Sequence, residues 1–250
     1  MQVEPIKPNG ALGIALPAQT PVPPIPECDR CAGRSPGVSA TPHSSPVAMT
    51  GQRHWAKRQI LYDDNGKADA FYRISRGIVA ECKGFADGRR QIVAIRTVGD
   101  LCGYPTHKGR HAFTAQAITP VEARAFDAEQ FRATMGRDTE FACAVADDAS
   151  DRLNHALIRL TVVGQFCALE RVAYFILDMQ KRMPPCSIQM GPLPLHLTRQ
   201  EIADYLGLTI ETVSRSFSKL RNMRLIALRS ADVVAILDQK RLFEVASGRM

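Results

Sequence analysis

The sequence predicts an α+β chain in which an antiparallel β-roll is followed by one long helix and then by two short helices with a β-hairpin. Short apolar runs alternate with turn residues over residues 59–126, a heptad-like apolar repeat covers residues 142–163, and two helical patterns separated by a glycine occupy residues 198–222. The boundaries we predict are 1–50 for an N-terminal arm, 51–137 for the roll, 138–164 for the long helix and 165–245 for the C-terminal domain.

The N-terminal arm is rich in Pro, Ser, Gly and Ala and shows no sustained apolar period. Prolines at positions 21, 23, 24 and 26 interrupt any regular element there. Such a segment cannot bury enough apolar surface to offset the entropy of ordering it. We therefore predict that residues 1–50 are disordered.

Turn residues divide the predicted roll into short strands of similar length. This spacing is typical of antiparallel sandwiches and rolls. The turn signals are Asp64-Asn65-Gly66, Arg76-Gly77, Asp87-Gly88, Gly99-Asp100 and Thr119-Pro120.

The long helix carries apolar residues at alternating steps of four and three, which is the pattern of a coiled-coil seam. Its small side chains would let two helices approach closely, so we predict a homodimer. The alternative is an ordinary amphipathic helix packed on its own roll, because about three heptads is a short run. The predicted seam residues are Ala142, Ala146, Ala149, Leu153, Ala156, Leu160 and Val163.

The two short helices have clear local signals. Thr198 and Glu201 have the spacing of a capping box, Gly207 suits the turn between the helices, and Thr209 can cap the second helix. On the second helix Val213, Phe217 and Leu220 recur on one face and should be buried. Two short apolar runs within residues 225–237 then predict a β-hairpin wing.

The other face of the second helix is polar, with Glu211 and Arg215 one turn apart. Arginine can pair with guanine through two bonds, and a carboxylate can accept from the cytosine amino group, so this face suits base edges in a major groove. The alternative is a salt bridge on a solvated face. We predict DNA contacts from Thr198, Thr209, Glu211, Thr212, Ser214, Arg215, Ser218 and Lys219.

Residues 197–221, LTRQEIADYLGLTIETVSRSFSKLR, resemble the recognition segment of the CRP/FNR superfamily of bacterial transcription regulators, most closely its FixK and FNR branches. There the pattern E-x-x-S-R, matched by Glu211, Ser214 and Arg215, contacts the TTGAT half-site of a TTGAT…ATCAA inverted repeat. The resemblance implies a homodimeric, winged helix-turn-helix regulator that contacts RNA polymerase in oxygen- or redox-linked gene control.

Residues 71–104 resemble the cyclic-nucleotide-binding-like jelly roll of the same superfamily, including its DGRRQI hairpin and its GD-x-x-G turn. Nucleotide binders of this fold place a glutamate after the last glycine of that turn and an arginine further on. Here Tyr104 follows Gly103, and His111 occupies the place of the arginine. A neutral imidazole is a poor substitute for a bidentate phosphate clamp, so we expect no cyclic AMP response.

The seven cysteines leave inert thiols, a redox switch and a metal centre open. Cys28 and Cys31 resemble the cysteine cluster that holds a [4Fe-4S] group in FNR-like proteins, but the pattern is incomplete and would have to recruit Cys82 or Cys102. Cys186 follows two prolines shortly before the helix-turn-helix, where positive potential could lower the pKa of its thiol. Our redox candidates are therefore Cys28, Cys31 and Cys186, and no cofactor or metal site is assigned.

The formal net charge of +7 favours polyanionic partners without specifying one. No apolar stretch is long enough for a membrane span and no signal peptide is recognised, so a cytoplasmic location is expected. Six scattered histidines lack the pairing that a metal-dependent cupin-like enzyme needs, and catalytic residues are not predicted. That enzyme, and a constitutive DNA-binding protein without a sensor ligand, remain the alternatives.

Overall fold

The computed structural model describes residues 49–104, 109–183 and 192–249. The predicted disordered arm, apart from its last two residues, lies outside these ranges, as do Cys28, Cys31 and Cys186. Within them the chain forms the predicted order of a roll, a long helix and a helix-turn-helix with a wing, so the predicted fold class is confirmed.

The β-roll consists of two four-stranded antiparallel sheets, with strand orders β1-β8-β3-β6 and β2-β7-β4-β5. In β8 the alternate residues Val121, Ala123 and Ala125 are buried, as the two-residue period of a strand requires. The strands are β1 (Met49–Trp55), β2 (Ile60–Tyr62), β3 (Ala70–Arg76), β4 (Val79–Gly84), β5 (Arg90–Arg96), β6 (Leu101–Cys102), β7 (Thr114–Ala117) and β8 (Val121–Asp127).

The predicted turn at Arg76-Gly77 requires its glycine. Gly77 has a φ of 93°, and a Cβ there would lie 2.3 Å from the Pro120 carbonyl oxygen. Any side chain would force the strand ends apart, so this glycine is explained by the turn alone.

Strand β1 was not predicted from the sequence pattern, and it begins two residues before the predicted start of the roll. It pairs with β8 at the edge of its sheet, and most of its side chains are exposed. An exposed edge strand has little need for apolar alternation, so period-based reasoning has no signal there.

In the described chain the roll is followed by the helices α1 (Ala128–Met135), α2 (Thr139–Gln165) and α3 (Ala168–Arg182). Helix α2 is the predicted long helix, and the Asp138 carboxylate caps it by accepting from the Phe141 N–H at 2.9 Å. Its protein-facing side buries Phe141, Val145 and Val162. The short helix α1 was not predicted.

The C-terminal domain contains the helix-turn-helix, the wing and a final helix. Its three-stranded sheet has the order β10-β11-β9, in which β9 is a strand that the sequence did not indicate. The elements are β9 (Leu193–Pro194), α4 (Arg199–Leu206), α5 (Ile210–Asn222), β10 (Ile226–Leu228), β11 (Val233–Ile236) and α6 (Gln239–Ala246).

One apolar cluster joins the roll to the C-terminal domain. Cys82, Ile92 and Ile95 from the β2-β7-β4-β5 sheet share it with residues of α3 and α4, including Phe175 and Leu206. Burial of this surface stabilises the contact by roughly 25 cal/mol per Å² of apolar area. The helix-turn-helix is therefore packed against the roll.

Candidate nucleic-acid interface

Helix α4 begins at the predicted capping box. The Thr198 hydroxyl oxygen accepts from the Glu201 backbone N–H at 3.2 Å, and the Glu201 carboxylate accepts from the Thr198 N–H at 2.7 Å. Two backbone donors that the helix cannot satisfy thus find partners in adjacent sequence. The start of the helix-turn-helix is specified locally.

The turn between the helices depends on Gly207, which is left-handed with φ 64° and ψ 43°. The Gly207 N–H closes α4 by donating to the Ala203 carbonyl. Thr209 then caps α5, its hydroxyl oxygen accepting from the Thr212 N–H at 3.2 Å. Both predicted roles are realised, and they fix the angle at which α5 leaves the turn.

Helix α5 separates a buried face from an exposed one. The core stripe lies inside, with Val213, Phe217 and Leu220 each at most 1% exposed. Of the predicted DNA-contacting residues on this helix and its cap, Thr209, Glu211, Ser214, Arg215 and Lys219 are exposed, while Thr212 and Ser218 are partly buried.

Local interactions favour the ionised form of the Glu211 carboxylate on this face. Hydrogen bonds from its own backbone N–H and from the Thr209 hydroxyl lower the pKa of Glu211, and Arg215 contributes further. Within the described residues Glu211 forms no ion pair with Arg215, whose guanidinium instead reaches the Thr212 hydroxyl at 3.5 Å. The face can offer both an acceptor and a fork of donors to base edges.

The wing follows directly. Its turn, residues 229–232, is exposed, and the Ser230 hydroxyl donates to the Asp232 carboxylate at 2.7 Å. Arg229 is exposed at one end of the turn. An exposed arginine in the wing turn can approach a phosphate.

Comparison with known proteins also assigns a helix-turn-helix to the C-terminal domain. Residues 170–245 match the Crp-like helix-turn-helix domain, and residues 52–138 match the cyclic nucleotide-binding domain. The nitrogen fixation regulation protein FixK of Azorhizobium caulinodans is 33% identical over 91% of this chain and 93% of its own length. The FixK of Rhizobium meliloti is 35% identical over 80% of this chain and 90% of its own.

The structure of FixK2 from Bradyrhizobium japonicum is also similar, with a TM-score of 0.73 and 30% identity over 80% of this chain and 98% of that one. This chain is a FixK-like member of the CRP/FNR family. It is accordingly a DNA-binding transcription regulator and not an enzyme, which excludes the cupin-like alternative. None of the described helices is long and apolar enough to cross a membrane.

The β-roll of this FixK-like regulator and its helix α2 line a cavity of about 250 Å³, and the lining includes Gly103, Tyr104 and His111. Polar side chains in the wall of the cavity bond to one another. The Glu81 carboxylate accepts from the Tyr62 hydroxyl at 2.7 Å and lies 2.8 Å from the Arg96 guanidinium. His111 stacks on Tyr62 with ring centroids 4.0 Å apart.

This chemistry does not fit a cyclic nucleotide. Among the described residues, the arginines lining the cavity are Arg96, which is paired with Glu81, and Arg152, which is paired with Asp148 at 2.6 Å. Burial lowers the pKa of His111, which disfavours the imidazolium that a phosphate would need. A Cβ at Gly103 would already lie 3.0 Å from the Tyr62 ring. These residues support the expectation of no cyclic AMP response.

Helix α2 of the regulator leaves most of the predicted seam uncovered. Leu153 is 59% exposed and Leu160 is 68% exposed, and Leu157 beside them is 51% exposed. Of the remaining seam residues, Ala146, Ala149 and Ala156 are exposed, whereas Ala142 and Val163 are partly buried. The alternative, a helix that packs this stripe on its own roll, does not agree with these exposures.

The described cysteines offer little to an iron–sulfur cluster. Burial raises the pKa of Cys82 to about 11 and raises that of Cys102 further, so the thiolate that iron requires is disfavoured at both. No group of three or more His, Cys, Asp or Glu side chains in the described ranges could hold a metal ion. Cys143 and Cys167 are exposed.

Sequence reasoning missed the charged residues that organise the interior. Glu81, Arg96 and Arg159 lie in unremarkable local patterns, and Arg90 lies in the DGRRQI hairpin, which does not indicate its partner Asp204; the partners of Arg90 and Arg159 are distant in sequence. No periodicity or motif marks such pairs before the chain is folded.

Proposed function

We propose that this regulator acts as a homodimer that binds a TTGAT…ATCAA-type inverted repeat, with one α5 helix in each major groove. The observation that carries the proposal is the exposed face of α5, on which Glu211, Ser214 and Arg215 stand together at the family's E-x-x-S-R positions. A carboxylate facing DNA is repelled by phosphates unless a base donor compensates, so its presence favours sequence recognition over simple phosphate contact. Lys219 and the helix caps would anchor the backbone.

The dimer is supported by the uncovered apolar stripe on α2. The exposed leucines of this stripe, Leu153, Leu157 and Leu160, are costly in water, and a second copy of the helix would cover them. Two-fold symmetry would place two recognition helices about one DNA turn apart, which matches an inverted repeat.

We further propose that the bound dimer contacts RNA polymerase in a cytoplasmic setting, in gene control linked to oxygen or redox state. Support comes from the named function of the FixK relatives, nitrogen fixation regulation. The redox candidates Cys28, Cys31 and Cys186 remain proposals.

The DNA proposal is tested by titrating the protein onto a fluorescent TTGAT…ATCAA duplex and onto duplexes with one or both arms scrambled. Specific complexes are typically about 10³-fold or more tighter than non-specific ones. We expect strong preference for the intact repeat and a large loss when either arm is scrambled. Equal binding to all duplexes would reject the half-site assignment.

The dimer is tested by measuring molar mass with light scattering for Leu153→Glu and for Ile158→Glu. Both residues are exposed on α2, Leu153 at 59% and Ile158 at 43%. At about 100° per residue, Ile158 lies about 140° around the helix from Leu153 and therefore outside the seam. We expect Leu153→Glu to be a monomer and Ile158→Glu to remain a dimer. If both variants keep the wild-type mass, the seam is wrong.

The charged side chains that line the cavity are paired with one another. This favours a second candidate, a constitutive DNA-binding regulator without a sensor ligand. Anaerobic purification followed by a visible spectrum and iron analysis distinguishes the two. A colourless dimer that binds the repeat equally before and after air supports the constitutive form. A coloured protein that loses its DNA affinity in air supports redox control through a cluster.

A further inference from the structure

The C-terminal end of α4 is held by three other parts of the molecule. The last carbonyls of an α-helix have no partner within the helix, so side chains or solvent must satisfy them. Here each of the last three accepts from a different element. The pairs are Gln91 of β5 with Asp204, Arg159 of α2 with Tyr205 at 2.9 Å, and Arg171 of α3 with Leu206 at 3.2 Å.

A charged contact reinforces the junction between the roll and α4. The Arg90 guanidinium, at the start of β5, donates to one carboxylate oxygen of Asp204 through two nitrogens, at 3.0 and 2.9 Å. The two side chains are only 34% and 12% exposed, so water competes weakly for them. Hydrogen bonds between charged groups are roughly twice as strong as neutral ones.

Arg159 connects three elements through one side chain. Its guanidinium donates to the carbonyls of Ile92 and Val93 on β5 as well as to Tyr205 on α4. It also lies 4.1 Å from the centre of the Tyr205 ring, within the range of a cation–π contact. Arg159 sits between Ala156 and Leu160 of the predicted seam, so any shift of α2 is passed directly to α4.

We propose that Arg159 and Arg90 are positioning residues that set the orientation of the recognition helix relative to the long helix. This rests on the proposed dimer and inverted repeat. The turn at Gly207 joins α4 to α5 with no intervening element, so displacing the end of α4 displaces α5. In a dimer, the attachment of each α5 to its own α2 determines the separation of the two recognition helices, and hence the half-site spacing. The two arginines therefore select operator spacing and not base sequence.

The experiment measures the affinity of the dimer for TTGAT…ATCAA duplexes whose central spacer is native, one base pair shorter or one base pair longer. We expect the wild type to lose about tenfold in affinity on either change, and Arg159→Gln and Arg90→Gln to lose within about threefold. Arg171→Gln is the matched control, because Arg171 caps the same helix end from within the C-terminal domain. It should retain wild-type spacing discrimination.

Each outcome decides the question. A merely structural role would lower affinity for all three spacers equally, and discrimination that survives in both arginine variants overturns the proposal, as does an equal loss in Arg171→Gln. The double variant Arg90→Asp with Asp204→Arg should restore discrimination by rebuilding the pair. If Arg159→Gln does not fold, Arg90→Gln carries the same test from the edge of the junction. A wild type that binds no repeat at all rejects the proposed function, and the inference with it.

Discussion

On α5, Glu211 and Arg215 are both exposed and form no ion pair with each other in the described chain, whereas in the roll Glu81 and Arg96 lie 2.8 Å apart with side chains 9% and 21% exposed. A glutamate and an arginine thus have different roles in the two regions. The exposed glutamate and arginine form only local hydrogen bonds at the start of α5 and can still contact a partner, whereas the buried ones bond to each other because an unpaired charge inside a protein is very costly. Charged residues point to a binding site only when the fold leaves them unpaired.

The largest expected effect comes from breaking the buried pair. Glu81→Ala leaves Arg96 without its carboxylate and the Tyr62 hydroxyl without its acceptor, so the free energy of unfolding should fall by about 3 to 5 kcal/mol. Urea unfolding followed by circular dichroism measures it. The control is Glu122→Ala, whose partner Arg76 is 76% exposed and whose loss should cost about 1 kcal/mol or less. Similar losses for both variants would contradict the contrast.

The exposed pair should affect DNA recognition and leave stability unchanged. Glu211→Ala should relax discrimination at one base position by about 1 to 3 kcal/mol, because a base contact carries sequence information. Competition with duplexes substituted at each half-site position gives the measurement. Lys219→Ala, on the same exposed face, should weaken all duplexes alike. If both variants weaken all duplexes equally, Glu211 does not contact a base edge.

A smaller effect is expected from the cap of α4, which depends only on contacts between Thr198 and Glu201. Thr198→Ala removes the acceptor of the Glu201 N–H and should cost about 1 kcal/mol of stability. Urea unfolding against Ser150→Ala, an exposed position inside α2, provides the comparison, since that change should stay within about 0.5 kcal/mol. A Thr198→Ala protein as stable as Ser150→Ala would show that the capping box contributes nothing.

The smallest effect is a pH dependence from the roll interior. Burial lowers the pKa of His111 in the folded protein, so the unfolded chain binds this proton more readily. The resulting stability is present above the unfolded pKa, near 6.5, and is lost progressively as the pH falls below it. His111→Phe keeps a ring stacked on Tyr62 and removes the titration, so its unfolding free energy should change less between about pH 7.5 and about pH 5.5. An unchanged slope would assign the dependence elsewhere, for example to His196, whose pKa burial also lowers.

The helix-turn-helix was predictable almost residue by residue. The cap at Thr198, the left-handed turn at Gly207 and the core stripe at Val213 all depend on interactions within a few positions, so they leave a local pattern. The roll was predictable only in outline. Its turns are marked by glycine and aspartate, but the exposed edge strand β1 and the two-residue strand β9 have no such pattern and were missed.

By itself the sequence determined the order of roll, long helix and helix-turn-helix, the caps and turn of the helix-turn-helix and the polar face of α5, because backbone hydrogen bonding and helical periodicity act over short stretches of chain. Only the tertiary structure decided that Glu81 is paired with Arg96, that His111 stacks on Tyr62, and that Arg159 joins α2 to the end of α4. Those contacts link residues 15 to 49 positions apart. Whether a charged side chain is paired depends on which distant segments pack against it and remove water. This is determined only when the chain folds.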